Sequence, residues 1–189
     1  MASIERFDAI LIGSGQAANP LASAMAEAGR TVALVERDHV GGTCINTGCT
    51  PTKTMVASAR VAYLARRGAD YGVEATNLRI DMEQIRSRKR KIVASFRGGI
   101  EERFETNDKI EFVHGEGTFV DARTIRVVTQ RGERLLSADS IFLDTGQRNT
   151  IPAIEGIEEI PYLDNSSVIE LSEVPGHLVI LGGGYIGVE

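Results

Sequence analysis

Apolar residues along this chain come in two rhythms. Short unbroken runs at residues 7–12 and 31–35 read as strands buried on both faces. Between them residues 16–28, mostly Ala, Leu and Met and followed by Gly29, predict a helix with a C-terminal stop. Strand, helix and strand in so short a stretch make a βαβ unit. Residues 41–53 are rich in Gly, Thr, Cys and Pro and predict a loop. It opens onto a helix over 54–67 with Met55, Ala59, Ala62 and Tyr63 on one face. Met82, Ile85, Ile92, Val93, Phe96, Ile100 and Phe104 recur at helical spacing, interrupted by Gly98 and Gly99. From Lys109 the period shortens to β-type stretches at 110–113, 118–120, 124–129 and 141–143, a β-meander inserted before a closing strand. Residues 149–176 hold Pro152, Pro161 and Pro175 and read as a connection, after which 177–181 predict another apolar strand followed by Gly182, Gly183 and Gly184. The fold class is α/β.

Composition narrows the function classes. The 189 residues are 42% hydrophobic and 25% charged, ordinary for a globular domain. No apolar run approaches the roughly 20 residues of a membrane span. Residues 1–7 carry Glu5 and Arg6 with no long apolar core behind a basic head, so a secretory signal and membrane insertion are not expected and a cytoplasmic location is. A formal net charge of −5 argues against a nucleic-acid partner. Two cysteines cannot make a disulfide framework, while twenty glycines, many clustered, mark places of close backbone approach.

The first cluster is Gly13-Ser14-Gly15-Gln16-Ala17-Ala18, between a predicted strand and a predicted helix. The pattern matches a dinucleotide fingerprint with Ala in the third glycine position. The first glycine permits the tight turn, the second lets backbone reach a pyrophosphate, and the small third residue lets helix and strand pack. Phosphate then meets the positive end of the helix dipole. Glu36 closes the second strand at an interval suited to accepting hydrogen bonds from ribose hydroxyls. A Gly-rich structural turn with a surface Glu is the plainer alternative, and Pro20, inside the helix, favours it.

The second cluster runs from Cys44 through Cys49 to Pro51-Thr52-Lys53. Residues five apart in a regular helix have Cα atoms roughly 8 to 9 Å apart, more than a disulfide spans, so any bridge requires a break in the helix. Gly41, Gly42 and Gly48 supply that freedom. A bridge closing so small a loop at a helix start would be easily reduced, and the helix dipole with Lys53 would favour a thiolate. Two buried thiols are the alternative. Zinc is not expected, because His39, His114 and His177 lie at no ligand spacing from the cysteines.

These motifs together resemble the flavoprotein pyridine nucleotide-disulfide oxidoreductases. The resemblance spans almost the whole chain and rests on Gly13 to Ala18, Gly41-Gly42-Thr43-Cys44 through Cys49, Pro51-Thr52-Lys53, Thr145-Gly146, and Gly182-Gly183-Gly184-Tyr185-Ile186-Gly187-Val188-Glu189. It implies a Rossmann-like FAD-binding domain over 1–148, with a parallel sheet and the inserted meander. Residues 149–189 would be the linker and first strand and turn of a second Rossmann-like domain, which binds NAD(P)H. FAD would meet Gly13, Ser14, Gly15, Gln16, Ala17 and Ala18, with Glu36 and Arg37 at the adenosine ribose. Gly42 and Thr43 would lie near the pyrophosphate, Glu116 and Gly117 near the adenine, and Gly48, Thr145 and Gly146 would also border the cofactor. Cys44 and Cys49 would be the redox pair, Cys49 against the flavin and Cys44 meeting the substrate. Lys53 would stand near flavin N5, paired with Glu189, and Tyr185 would gate the nicotinamide pocket. Substrates implied are small molecules, disulfides or Hg(II), and the full-length enzyme would be a homodimer in cell redox homeostasis. The wording of the cysteine loop resembles the mercuric reductase branch most, with dihydrolipoamide dehydrogenase, glutathione reductase or a free-standing FAD-binding thiol module as alternatives.

Two positions depart from the family pattern. Thr52 replaces Ser, and Asp144 replaces the Ala that ordinarily precedes Thr-Gly, bringing a charge close to the flavin edge. Because the chain stops at Glu189, a truncated enzyme without NAD(P)H-driven turnover of its own is expected. The basic run Arg86, Arg88, Lys89, Arg90 and Lys91 reads as the solvated outer face of a helix.

Overall fold

The computed structural model describes residues 3–189; Met1 and Ala2, the first two positions of the predicted 1–148 domain, lie outside the described residues. The chain divides into two compact units, Met1–Asn46 with Ser95–Arg148, and Thr47–Ala94 with Asn149–Glu189.

The first unit is built on β1 (Ile4–Ile12), whose apolar run is long because both of its faces are covered. Ala9 and Leu11 look to one side, where α1 (Ala18–Glu27) lays down Ala18, Ala22 and Ala26 and where Phe104 closes the cluster. Ile10 looks to the other side, against Ala33 and Val35 of β2 (Val32–Glu36). Small residues on α1 let the helix lie close to the sheet. The helix ends as expected at Gly29, whose φ of 78° lets Arg30 N donate to Met25 O at 3.0 Å. Pro20 falls in the first turn, where an N–H has no intrahelical acceptor to lose, so it does not break α1.

Six strands form one sheet in the order β3-β2-β1-β6-β5-β4. β3 (Ile110–His114), β2, β1 and β6 (Gly132–Leu143) run parallel, with Ile12 in register with Val35 on one side and Leu143 on the other. β4 (Glu116–Asp121) and β5 (Thr124–Thr129) continue antiparallel from β6. The meander is thus joined to the parallel sheet, because the 12-residue β6 is both its third strand and the partner of β1. The first predicted meander strand belongs elsewhere, as β3 at the far parallel edge. Ile125, Val127, Leu136 and Ala138 pack with Ile10 and Val35, so the antiparallel arm covers the face opposite α1.

The second unit holds α3 (Cys49–Arg66), which starts five residues before the predicted helix. Its buried residues are Pro51 and Thr54, with Met55, Ser58 and Ala62 half-buried, while Ala59 and Tyr63 face solvent, contrary to the expected apolar face. Tyr63 is instead covered by the Arg67 guanidinium at 5.4 Å from its centroid. α4 (Met82–Glu105), of which residues 82–94 belong to this unit and 95–105 to the first, is continuous through Gly98 and Gly99. Of the basic run, Arg88, Arg90 and Lys91 are exposed as expected and Arg86 is half-buried, but Lys89 is 2% exposed, donating to Ile169 O at 2.9 Å and paired with Glu170, which also takes Arg90 at 2.7 Å. A buried lysine requires such a partner, and the linker supplies it. The predicted strand at 177–181 does not form, since nothing among the described residues pairs with it and Leu178 to Leu181 stay exposed. One helical turn, α5 (Tyr185–Val188), follows.

Candidate functional site

The order β3-β2-β1-β6 contains a switch point. From β1 the chain builds outward through β2 and β3, then returns on the other side of β1 as β6, so the loops leaving β1 and β6 part in opposite directions. Ligand crevices of open α/β sheets form at the carboxyl ends of such strands. Gly13 and Asp144 are the first residues beyond those ends.

Here the backbone approaches closely. Gly13 has φ 96°, and a Cβ on it would lie 2.1 Å from the carbonyl oxygen of Asp144. A Cβ on Gly42, φ 59°, would stand 2.9 Å from Cα of Gly15. No other residue type fits at either position. Gly13 N donates to Val35 O at 2.8 Å and Gly41 N to Ser14 O at 2.9 Å, which ties the Gly loop to the end of β2 and to the start of α2 (Gly42–Asn46). Gln16 Nε2 adds a bond to Gly41 O at 3.3 Å.

Glu36 is held inward. Its Oε2 accepts from Ser14 N at 3.0 Å and from Ser14 Oγ at 2.8 Å, and its Oε1 accepts from Asp38 N at 2.9 Å. Ser14 is 1% exposed, so this pairing fixes the loop from beneath. Arg37 points along the surface to Glu116 at 3.3 Å, both side chains more than half exposed. Gly117 brings β4 over the sheet, its Cβ position 3.6 Å from Val35 and 3.8 Å from Ile12. Ala18 N, in the first turn of α1, donates to Asp144 Oδ2 at 2.9 Å.

α2 is a helix that the glycine-rich composition concealed. It carries Thr43, exposed, and Cys44, half-buried, and it is anchored by Ile45, 7% exposed, and by Asn46. Asn46 Nδ2 donates to Val40 O at 3.0 Å and Gly42 O at 2.9 Å, and its Oδ1 accepts from Arg97. Nothing in the sequence marks Asn46, because its partners are backbone carbonyls and an arginine far along the chain. Between α2 and α3 the chain leaves helical geometry at Gly48, φ −123° and ψ −117°, so the two cysteines lie on separate helices. Cys49 is exposed at the first position of α3.

In the second unit the structure brings Lys53 and Glu189 together as an ion pair. Tyr185 is 81% exposed. In the first unit Thr145 and Gly146 are exposed beyond β6, with Gly146 at φ 69°. No group of three metal-ligating side chains occurs among the described residues. A shallow groove of about 440 Å³ in the second unit, lined by Ser58, Ile85, Ser87, Arg88, Lys91 and Ile92, contains none of the expected site residues.

The Gly loop fits a dinucleotide in its backbone: glycines stand where Cβ atoms have no room, and the loop opens a helix at a switch point. The known proteins that this chain is similar to agree with that geometry. It is 35% identical over 185 residues to a mercuric reductase of Streptomyces lividans and 33% identical over 183 residues to a dihydrolipoyl dehydrogenase of Geobacillus stearothermophilus. These alignments cover 97% and 96% of the chain but 39% and 38% of the relatives, so the chain spans about two fifths of their length. Among solved structures, the Cu(II) complex of the HOCl-induced flavoprotein disulfide reductase RclA from Escherichia coli superposes with a TM-score of 0.83 at 34% identity, over 98% of this chain and 39% of that one. The family model for pyridine nucleotide-disulphide oxidoreductases matches residues 7–189. With the fold, the Gly loop and this match in agreement, the chain belongs to the pyridine nucleotide-disulphide oxidoreductase family.

Proposed function

We propose that residues 1–148 hold FAD, and that 149–189 open a domain for NAD(P)H. The whole enzyme, a homodimer, passes electrons from NAD(P)H to the Cys44/Cys49 pair and on to a small acceptor, Hg(II) first among them. The observation that carries this reading is the cradle at the ends of β1 and β6, where Gly13 and Gly42 allow a close backbone approach in front of α1 and the Asp144 carboxylate stands beside Gly15. FAD, when bound, supplies a two-electron carrier between a hydride donor and a disulfide. The chain's residues position it: backbone of Gly13 to Ala18 faces the diphosphate, Glu36 is at the ribose, and Thr43 on the exposed side of α2 is near the pyrophosphate. Arg37, Glu116 and Gly117 border the adenosine, and Gly48, Thr145 and Gly146 border the rest. Cys49, at the start of α3, is the thiol nearest the flavin, and Cys44 is the one that exchanges with substrate. Lys53, paired with Glu189, brings a positive charge near the ring, and Tyr185 gates the nicotinamide, a reading that its exposure on α5 supports. Similarity to mercuric reductases supports the choice of acceptor.

Mixing the purified protein with FAD, desalting and reducing it anaerobically with dithionite tests this. The expected result is retained flavin and a long-wavelength absorption band that Cys49→Ser abolishes. A whole protein that keeps no flavin overturns the reading. Faster NADPH oxidation with lipoamide than with Hg(II) would reassign the acceptor.

A further inference from the structure

A phosphate cradle at a helix start needs two things from the protein: room beside the second glycine, where a side chain would otherwise stand, and a first-turn amide free to donate. In this chain one side chain has taken both. Ala18 N, in the first turn of α1, donates to Asp144 Oδ2 at 2.9 Å. A Cβ on Gly15 would point straight into that carboxylate, 2.7 Å from Oδ2 and 3.2 Å from Cγ. The backbone holds Asp144 in place, since its N–H donates to Ile12 O at 2.8 Å and its carbonyl faces Gly13. Glu36 adds a second carboxylate to the same loop through Ser14.

We propose that Asp144 is a built-in anion that competes with the dinucleotide phosphate for the α1 amide, and so sets how tightly this loop binds FAD. This rests on the FAD reading above and deepens it. A diphosphate entering the loop must displace the carboxylate from Ala18 N or settle beside it against like charge. Either way the measured affinity is the intrinsic one multiplied by the fraction of molecules in which Asp144 has moved aside. The device selects against weakly held anions: only a ligand with enough further contacts displaces it. It also keeps the loop ordered without ligand, because the carboxylate caps α1, whose N-cap residue Ala17 has no side-chain oxygen to do so.

The test is titration of the purified whole protein with FAD, followed by flavin fluorescence, for the wild type, Asp144→Asn and Asp144→Ala at one salt concentration. Asp144→Asn keeps an oxygen to accept from Ala18 N and removes the charge, so it guards against loss of the cap. Both variants are expected to bind FAD about a hundredfold to a thousandfold more tightly, the range that one unit charge about 4 to 6 Å from the phosphate gives at an effective dielectric of about 20. Melting of the ligand-free protein should fall for Asp144→Ala and stay near wild type for Asp144→Asn. If wild type binds FAD and Asp144→Asn binds it equally or less well, the proposal fails and the FAD reading stands. If no form binds FAD, both fall.

Discussion

Two segments of this chain carry nearly the same pattern and meet different fates. Residues 7–28 and residues 177–189 each begin with an apolar run and pass into a glycine cluster. The first becomes strand, turn and helix; the second becomes exposed irregular backbone and one helical turn. Their difference is neighbours. β1 lies between β2 and β6, with backbone bonds to both and apolar cover on both faces, so Ile10 is fully buried. Ile180, at a comparable place in the pattern, is 56% exposed. A strand's hydrogen bonds belong to its partners, and 177–181 finds none among the described residues to hold it extended.

Paired substitutions sharpen the contrast. Ile10→Ala is expected to cost about 3 to 4 kcal/mol in urea unfolding, for lost burial and the cavity left behind, while Ile180→Ala changes stability by less than about 0.5 kcal/mol. Equal effects would break the comparison. Gly13→Ala must place a Cβ 2.1 Å from a carbonyl oxygen at φ 96°, and about 3 kcal/mol or more is expected. Gly183→Ala meets nothing within 4 Å and should melt with the wild type.

Within the second unit the sharper contrast is electrostatic. Glu170→Gln leaves Lys89 buried without its counter-charge and is expected to cost about 1 to 2 kcal/mol, reduced from a fully buried pair because Glu170 is 43% exposed. Burial raises the Glu170 carboxyl, but Lys89 and Arg90 outweigh it and hold the group below its ordinary 4.5. A depressed carboxyl stabilises the fold fully above the unfolded value, and that contribution disappears as pH falls through the folded value. The melting difference between wild type and Glu170→Gln should therefore be constant above about pH 4.5 and shrink below it. Lys53→Ala, removing a 68% exposed ion, should shift melting least, by under about 0.5 kcal/mol and less still at high salt.

What the sequence discloses and conceals follows the same division. β1, α1, Gly29, β2 and Glu36 could be read in order because their signals are local: an unbroken apolar run, a glycine stop, an acid at a strand end. α2 was hidden by its composition. The first half of β6 was hidden because residues such as Glu133 and Arg134 read as turn when their strand partners are unknown. Lys89 reads as a solvated charge because its reason for being buried, Glu170, stands 81 residues away. In the candidate site the close approaches at Gly13 and Gly15 and the place of Glu36 at the end of β2 are legible from spacing. That Asp144 would send its carboxylate to Ala18 was not readable, since a backbone amide leaves no mark in the sequence.

The place of β6 also bears on time. Ile4 is in register with Leu135 and Ile12 with Leu143, so the first strand of the sheet waits for its last, β6. Until then β1 can pair only with β2, and its other edge is an unpaired row of N–H and C=O groups beside apolar side chains, the kind of surface that captures other chains. Closing a pairing of such long range is slow. The nascent protein therefore passes through a prolonged interval in which its most central strand is an edge, and holdase chaperones acting before residue 143 emerges should raise its yield more than any acting later.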